Sequence, residues 1–147
     1  MSTSAIGTTI DDIRAGLASR AGLSEVNVFS GTVPVEEAGR ECIALGYATL
    51  SEVAAAMGGV REETWTLAGS EIRVIAGWQG DTEATIKAAR DRALEILAEV
   101  EGYLNDTYTG SLPSAQLTGA ELSQNFVAEG RECRVTFELT IENIKNP

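Results

Sequence analysis

The sequence predicts an α+β fold. We expect a single mixed, mostly antiparallel β-sheet of about 4–6 strands, a short N-terminal helix and one long helix packed on it, and a C-terminal β-hairpin. Three features carry that expectation. Over residues 133–142 apolar and polar side chains alternate without a break: Cys133, Val135, Phe137, Leu139 and Ile141 on one side, Arg134, Thr136, Glu138, Thr140 and Glu142 on the other. Period two over that length means a strand with one buried face and one open face. From residue 82 to about 104, Ile86, Ala89, Ala93, Ile96, Leu97, Val100 and Leu104 recur at spacings of three and four, a stripe wide enough to lie on a sheet. Finally, Ala128-Glu129-Gly130 is a turn that folds the preceding segment back on the last strand.

Taken in order, residues 1–8 read as a flexible arm. The α+β body spans 9–147, and the whole chain of 147 residues is one domain. A helix is predicted over 9–20, with Ile10, Ile13 and Leu17 on one face and Asp11 and Asp12 in the first turn. Gly22 is its stop signal. Residues 26–29 form a short strand, and 30–39, with Gly31 and Pro34, a loop. Residues 41–49 are nearly continuous in apolar character, which predicts a central strand. The segment 50–57 is either one helical turn or a protruding loop, closed by Gly58-Gly59. Residues 63–67 and 71–78 read as two strands joined by a three-residue hairpin loop, Ala68-Gly69-Ser70, with Ile72, Val74, Ala76 and Trp78 on one face of the second.

Asp81 is the N-cap of the long helix. Within it Glu83 and Lys87 are spaced as an i,i+4 pair. Asp91, Glu95 and Glu99 stack like charges, which reads as a solvated face, with a basic neighbour as the rival explanation. Residues 105–114 are the loop into the final hairpin, and a change of parity near Gly119-Ala120 predicts a β-bulge in its first arm. The tetrapeptide Gly39-Arg40-Glu41-Cys42 is echoed by Gly130-Arg131-Glu132-Cys133, each opening a strand, but four residues do not establish a repeat.

Composition narrows the function. With 22 acidic residues, 11 basic residues and a net charge of −11, a phosphate-binding surface is not expected, because nucleic-acid affinity is carried largely by Lys and Arg. An anionic membrane surface is disfavoured for the same reason. No run approaches the roughly 20 apolar residues that span a bilayer. Met1-Ser2-Thr3-Ser4 lacks the basic flank and apolar core of a signal peptide, so a cytoplasmic site of synthesis and assembly is expected.

Catalytic equipment is sparse. There is no histidine, so Ser-His and Cys-His nucleophile pairs are absent. Two cysteines far apart in the chain provide no metal-ligand spacing, and no metal site or cofactor is expected. Gly77-Trp78-Gln79-Gly80-Asp81 lies at a strand-to-helix junction where phosphates sometimes bind, but it lacks the lysine or dinucleotide context and reads as a turn with an N-cap. The adjacent acids Glu36/Glu37 and Glu62/Glu63 read as surface charge. Cys42 and Cys133 read as core packing, with a disulfide or redox role as the rival. Trp65 and Trp78 lie on apolar faces of adjacent strands and read either as core or as interface anchors.

The order of these elements resembles the tail terminator (tail completion) proteins of long-tailed bacteriophages. The likeness is carried by the N-terminal helix from Ile10 to Leu17 and by Arg61-Glu62-Glu63-Thr64-Trp65-Thr66-Leu67 leading to Ile72-Arg73-Val74. It continues through the helix opened by Gly80-Asp81-Thr82 with Ala88-Ala89-Arg90 inside it, and through the hairpin ending Val135-Thr136-Phe137-Glu138-Leu139-Thr140-Ile141. It covers most of residues 8–144 and is one of layout, not of an invariant motif. Relative to that layout, residues 50–57 read as an insertion.

The resemblance implies a virion protein of the tail or neck with no catalytic residues. It would form a ring, a homohexamer, on the finished tail tube, stop tube polymerisation and present a surface to the head–tail connector or stopper protein. DNA would pass through without specific binding. Candidate interface residues are Trp65, Trp78, Arg134, Glu138 and Glu142, the last three on the polar side of the final strand. That side reads equally as a subunit or channel surface and as a plain solvated sheet face. The competing functions are another neck or tail-tube component of the same particle, and a small carboxylate-based enzyme or ligand-binding domain, which would need a dry pocket with convergent polar groups.

Overall fold

The structure is a computed structural model and describes residues 4–55, 61–77, 81–110 and 112–145. Helix α1 (Ile6–Ala18) and a 3₁₀ turn (Ala21–Leu23) lead to β1 (Asn27–Phe29). A one-turn helix α2 (Val35–Ala38) carries the chain to β2 (Glu41–Ala44), followed by β3 (Tyr47–Ala55) and β4 (Arg61–Ala76). Helix α3 (Thr82–Thr107) then precedes the hairpin of β5 (Ser114–Val127) and β6 (Gly130–Lys145). The strands form one sheet in the order β1-β2-β4-β6-β5, and β3 lies beside the first half of β4. Only β1 and β2 run parallel; the other pairings are antiparallel. This is the mixed, mostly antiparallel α+β sheet that the patterning predicts.

Helix α3 opens where its cap signal lies. The Asp81 carboxylate accepts hydrogen bonds from the backbone N–H groups of Glu83 (3.0 Å) and Ala84 (3.3 Å), two of the donors a helix start leaves unpaired. The helix runs three residues beyond the predicted end. Its buried side is Thr85, Ala89, Ala93, Ile96, Val100 and Leu104, with Leu97 half-buried against the core. Facing it are Leu67, Ile72, Val74, Cys133, Val135, Phe137, Leu139 and Ile141, all buried. Each large side chain buried here stabilises by about 1.5–3 kcal/mol, so this helix–sheet layer is the principal core. Helix α1 lies on the same side of the sheet: Thr9 Oγ1 reaches Asn143 Oδ1 on β6 (3.2 Å), and Tyr103 Oη of α3 donates to Asp12 O (3.2 Å).

Several expectations are corrected. Helix α1 begins at Ile6, so residues 6–8 belong to it and not to an arm, and its first turn holds no acid. Residues 41–49 are two strands, broken at Leu45-Gly46, and both lie against β4, β2 on its second half and β3 on its first. Only glycine fits at the break. A side chain at Gly46 would place its Cβ 1.9 Å from Ala68 O, and Gly46 N instead donates to Ser70 Oγ (2.8 Å). Residues 50–55 continue β3 and are neither a helical turn nor a loop; 56–60 lie outside the described residues. Residues 61–76 are one strand, not a hairpin. Gly69 (φ +70°) forms a bulge across which pairing with β6 continues on both sides. The bulge expected in β5 is found between Leu117 and Gly119, and the final hairpin turns at Ala128-Glu129. Lys87 pairs with Asp91 one turn on, not with Glu83. Glu99 meets a base, Arg20 Nε, at 2.6 Å, while Glu95 lies 3.1 Å from Arg92 Nη1.

Candidate functional site: the open face and edges of the sheet

Strand pairing determines which residues share the side of the sheet away from the helices. On β6 these are Arg134, Thr136, Glu138, Thr140 and Glu142, opposite Arg73, Glu71, Thr66 and Thr64 on β4. The period-two reading of this strand is borne out: its apolar members are buried, while Thr136, Glu138 and Glu142 are exposed. Around Glu138 and Glu142 the face is rich in hydroxyls, with Thr140 Oγ1 bonded to Thr118 Oγ1 of β5 (3.1 Å). Nothing in the described residues covers this part of the face.

The other end of the same face is closed. Asn27 and Cys42 share this side by register, and Asn27 Nδ2 donates to Ala38 O (3.2 Å), so the β1–β2 connection crosses here. Cys42, Ala44, Arg73, Ile75 and Glu132 are buried. Arg73 Nε and Glu132 Oε2 meet at 2.5 Å, and Arg134 joins them, 3.5 Å from Glu132 and 3.7 Å from Glu71. Arg134 is therefore the half-exposed end of an ion-pair network, which the sequence analysis did not anticipate.

Trp65 points to the helix side, half-buried against the core, and its Nε1 donates to Glu63 Oε2 (3.1 Å). Glu63 also accepts from Ser4 Oγ (2.6 Å) and is buried, which corrects its reading as surface charge; Glu62 beside it is exposed. A carboxylate on the core side is held there by these donors. Trp78 lies outside the described residues. The structure thus brings Arg134, Glu138 and Glu142 onto one face and places Trp65 on the opposite one.

The patterning also missed the sheet's two margins. Five large apolar side chains are exposed among the described residues: Tyr47, Leu50, Leu94, Leu122 and Phe126. Four of them lie on β3 and β5, each of which has one unpaired side among the described residues, as the short strand β1 also does. Phe126 is 72% and Tyr47 68% exposed. The Arg131 guanidinium lies 5.7 Å from the Phe126 ring centroid.

The clefts offer little for catalysis. One of about 290 Å³ lies between the end of α3 and the start of β5, lined by Asn105, Tyr108, Gln116, Thr140 and Glu142 among others, with one carboxylate. Another, of about 460 Å³, contains Glu25, Arg40, Glu41, Ile75 and Arg92; there Glu41 is held by two hydrogen bonds from Arg92 (2.9 and 3.1 Å). No group of three metal-ligating side chains occurs among the described residues. Cys42 and Cys133 are free and buried on opposite faces of the sheet, where they cannot pair, and burial raises both thiol pKa values. Among the described residues no helix is long and apolar enough to cross a membrane.

No family model and no curated protein matches this sequence. Solved structures do. One is a chain of the virion of a native gene transfer agent (GTA) particle, with a TM-score of 0.54 and 16% sequence identity. The match covers 89% of this chain and 92% of that one, and shows a shared fold.

Proposed function

We propose that this chain is a structural protein of a phage-like virion and, within it, the tail terminator: a ring that caps the finished tail tube, stops its growth and presents a surface to the head–tail connector. The observation that carries this reading is the end-to-end fold likeness to a virion protein. It takes in nearly the whole of both chains, so it is not a likeness to one module inside a larger enzyme. The open sheet face supports it, because a small α+β domain with an uncovered polar face and unpaired strands has surface to give to neighbours.

A ring, here a homohexamer, needs a heterologous contact that closes on itself. On this reading Arg134, Glu138 and Glu142 belong to a subunit contact or face the channel. Trp65 supports that sheet from its core side. A net charge of −11 suits a protein that surrounds passing DNA, since few cations are present to replace the phosphate counterions.

The test is tail length. Particles assembled without this protein should carry overlong tubes in electron micrographs. Tails of normal length in its absence would sink the terminator reading. Purified protein added to tubes should form one ring at one end; many stacked rings would assign it to the tube instead.

A further inference from the structure

We infer that consecutive copies of this chain join through strand edges, β5 of one copy pairing antiparallel with β3 of the next. The inference rests on the ring reading above and names the surfaces that build the ring.

Three observations lead there. First, β3 and β5 are open on opposite margins of the sheet among the described residues. Each of the pairings β3–β4, β4–β6 and β6–β5 is antiparallel, so β3 and β5 run in opposite directions. A neighbour in the same orientation therefore brings its β3 to β5 as an antiparallel partner, and the sheet continues from copy to copy. Such a contact is heterologous and leaves a fresh edge at each end, as a ring requires.

Second, these two strands are almost free of charge. The inner strands β4 and β6 carry five and six charged residues, whereas β3 has only Glu52 and β5 only Glu121. Proteins that keep strand edges apart place Lys, Pro or inward charges on them. Here neither edge has a Lys, an Arg or a Pro. Copies that each carry −11 repel one another overall. The margins where they would meet carry a single glutamate each, less like charge than β4 or β6 would bring together, which favours a second copy as the occupant.

Third, the exposed apolar side chains lie on these same strands, Tyr47 and Leu50 on β3, Leu122 and Phe126 on β5. By register Leu50 and Leu122 both face the helix side, Leu50 level with Ala115 and Leu122 level with Ile43 of β2, so a neighbour staggered along the strands continues one apolar layer across the joint. The nine residues of β3 span about 30 Å. A strip of that length and one strand wide gives roughly 300 Å² per copy, below the ~800 Å² per partner of a stable pairwise interface. One joint is therefore weak, and closure or a tube template is needed to hold the ring.

Leu50→Lys and Leu122→Lys test this in the full chain, measured as ring occupancy on tail tubes and as self-association by sedimentation at high protein concentration. Each should weaken assembly by roughly tenfold or more while leaving the circular dichroism spectrum and melting unchanged, since both sites are exposed. Leu94→Lys, an equally exposed apolar site on α3, should assemble normally. Mixed together, the two edge variants should form one-to-one dimers that go no further, because each retains the edge that the other lacks. Unchanged rings in either edge variant, or an equal loss with Leu94→Lys, would overturn the edge joint. A wild-type chain that forms no ring in solution or on tubes would overturn it too. Tail length in particles lacking the protein judges the capping role separately: overlong tails together with intact edge-variant rings would leave capping standing and remove the edge joint alone.

Discussion

Arg73 on β4 and Glu132 on β6 form a buried ion pair, Nε to Oε2 at 2.5 Å, with each side chain 4% exposed. They are diagonal neighbours: Arg73 lies directly opposite Arg134, and Glu132 opposite Ile75. Arg134 and Glu71 extend the pair toward the open face, so that positive and negative groups alternate across two strands. Arg73 Nη1 has no hydrogen-bond partner among the described residues. The pair lies in the closed end of the face, and Arg134, its side chain 39% exposed, links it to the open part.

Breaking this pair from one side should be costly. Glu132→Gln leaves a buried guanidinium without its counter-charge, with an expected loss of about 3–5 kcal/mol. Replacing both partners by apolar residues, Arg73→Met with Glu132→Leu, should return most of that loss, because the desolvation cost of both charges disappears. Urea unfolding of the two variants checks the ordering. A double variant no more stable than Glu132→Gln would contradict it.

Gly46 should tolerate no side chain. A Cβ there meets Ala68 O at 1.9 Å, backbone against backbone, and β3 and β4 cannot both keep their register. Gly46→Ala should cost about 1–3 kcal/mol, read as a lower melting temperature. Gly7, where nothing lies within 4 Å of an added Cβ, is the control inside α1, and Gly7→Ala should gain up to about 1 kcal/mol.

The same glycine explains where sequence reasoning stopped. β6 and α3 were legible because their periods are local: alternation in one, spacings of three and four in the other. The Asp81 cap and the 128–129 turn were legible for the same reason. Residues 41–49 have no period, and the close approach that requires glycine at 46 is to Ala68, a contact far along the chain. Ala68-Gly69-Ser70 carries the composition of a turn, yet β6 pairs on both sides of it, so the chain bulges where a hairpin was expected. Glu63 read as a surface residue, and the burial of Arg73 and Glu132 had no local signal, because burial depends on partners from other elements. The shared face of Arg134, Glu138 and Glu142 followed from alternation alone. The open edges did not, because strand order is not written in any one segment. The charge-poor composition of residues 47–55 and 114–127 was the available signal.

The two thiols should be inert in the folded chain. Burial raises both pKa values, Cys42 between β2 and the β1–β2 connection and Cys133 under α3. A native-state thiol reagent should label neither, and both should react once the chain unfolds. The linkage runs toward alkaline loss. A folded-state pKa above the unfolded one means that the native state holds the proton longer. The contribution is full below the ordinary thiol value of about 8.5 and is lost as pH rises above it. Melting temperature measured from neutral to alkaline pH should fall across that window, and Cys133→Ala should lessen the slope.

The open face is tested by reversing its charge where the fold does not depend on it. Glu138 and Glu142 are exposed and take part in no ion pair among the described residues, so Glu138→Lys with Glu142→Lys should leave melting within about 0.5 kcal/mol of wild type. If the face lies at a subunit contact, the opposing group now meets the wrong sign and ring formation falls. If it lines the channel, rings form but hold DNA, because two cations per copy now replace phosphate counterions. The retention should then weaken steeply with added salt. On the proposed terminator reading infectivity drops in both cases, and electron micrographs of tail ends tell them apart. Normal rings with normal infectivity would return this face to the status of an ordinary solvated sheet surface.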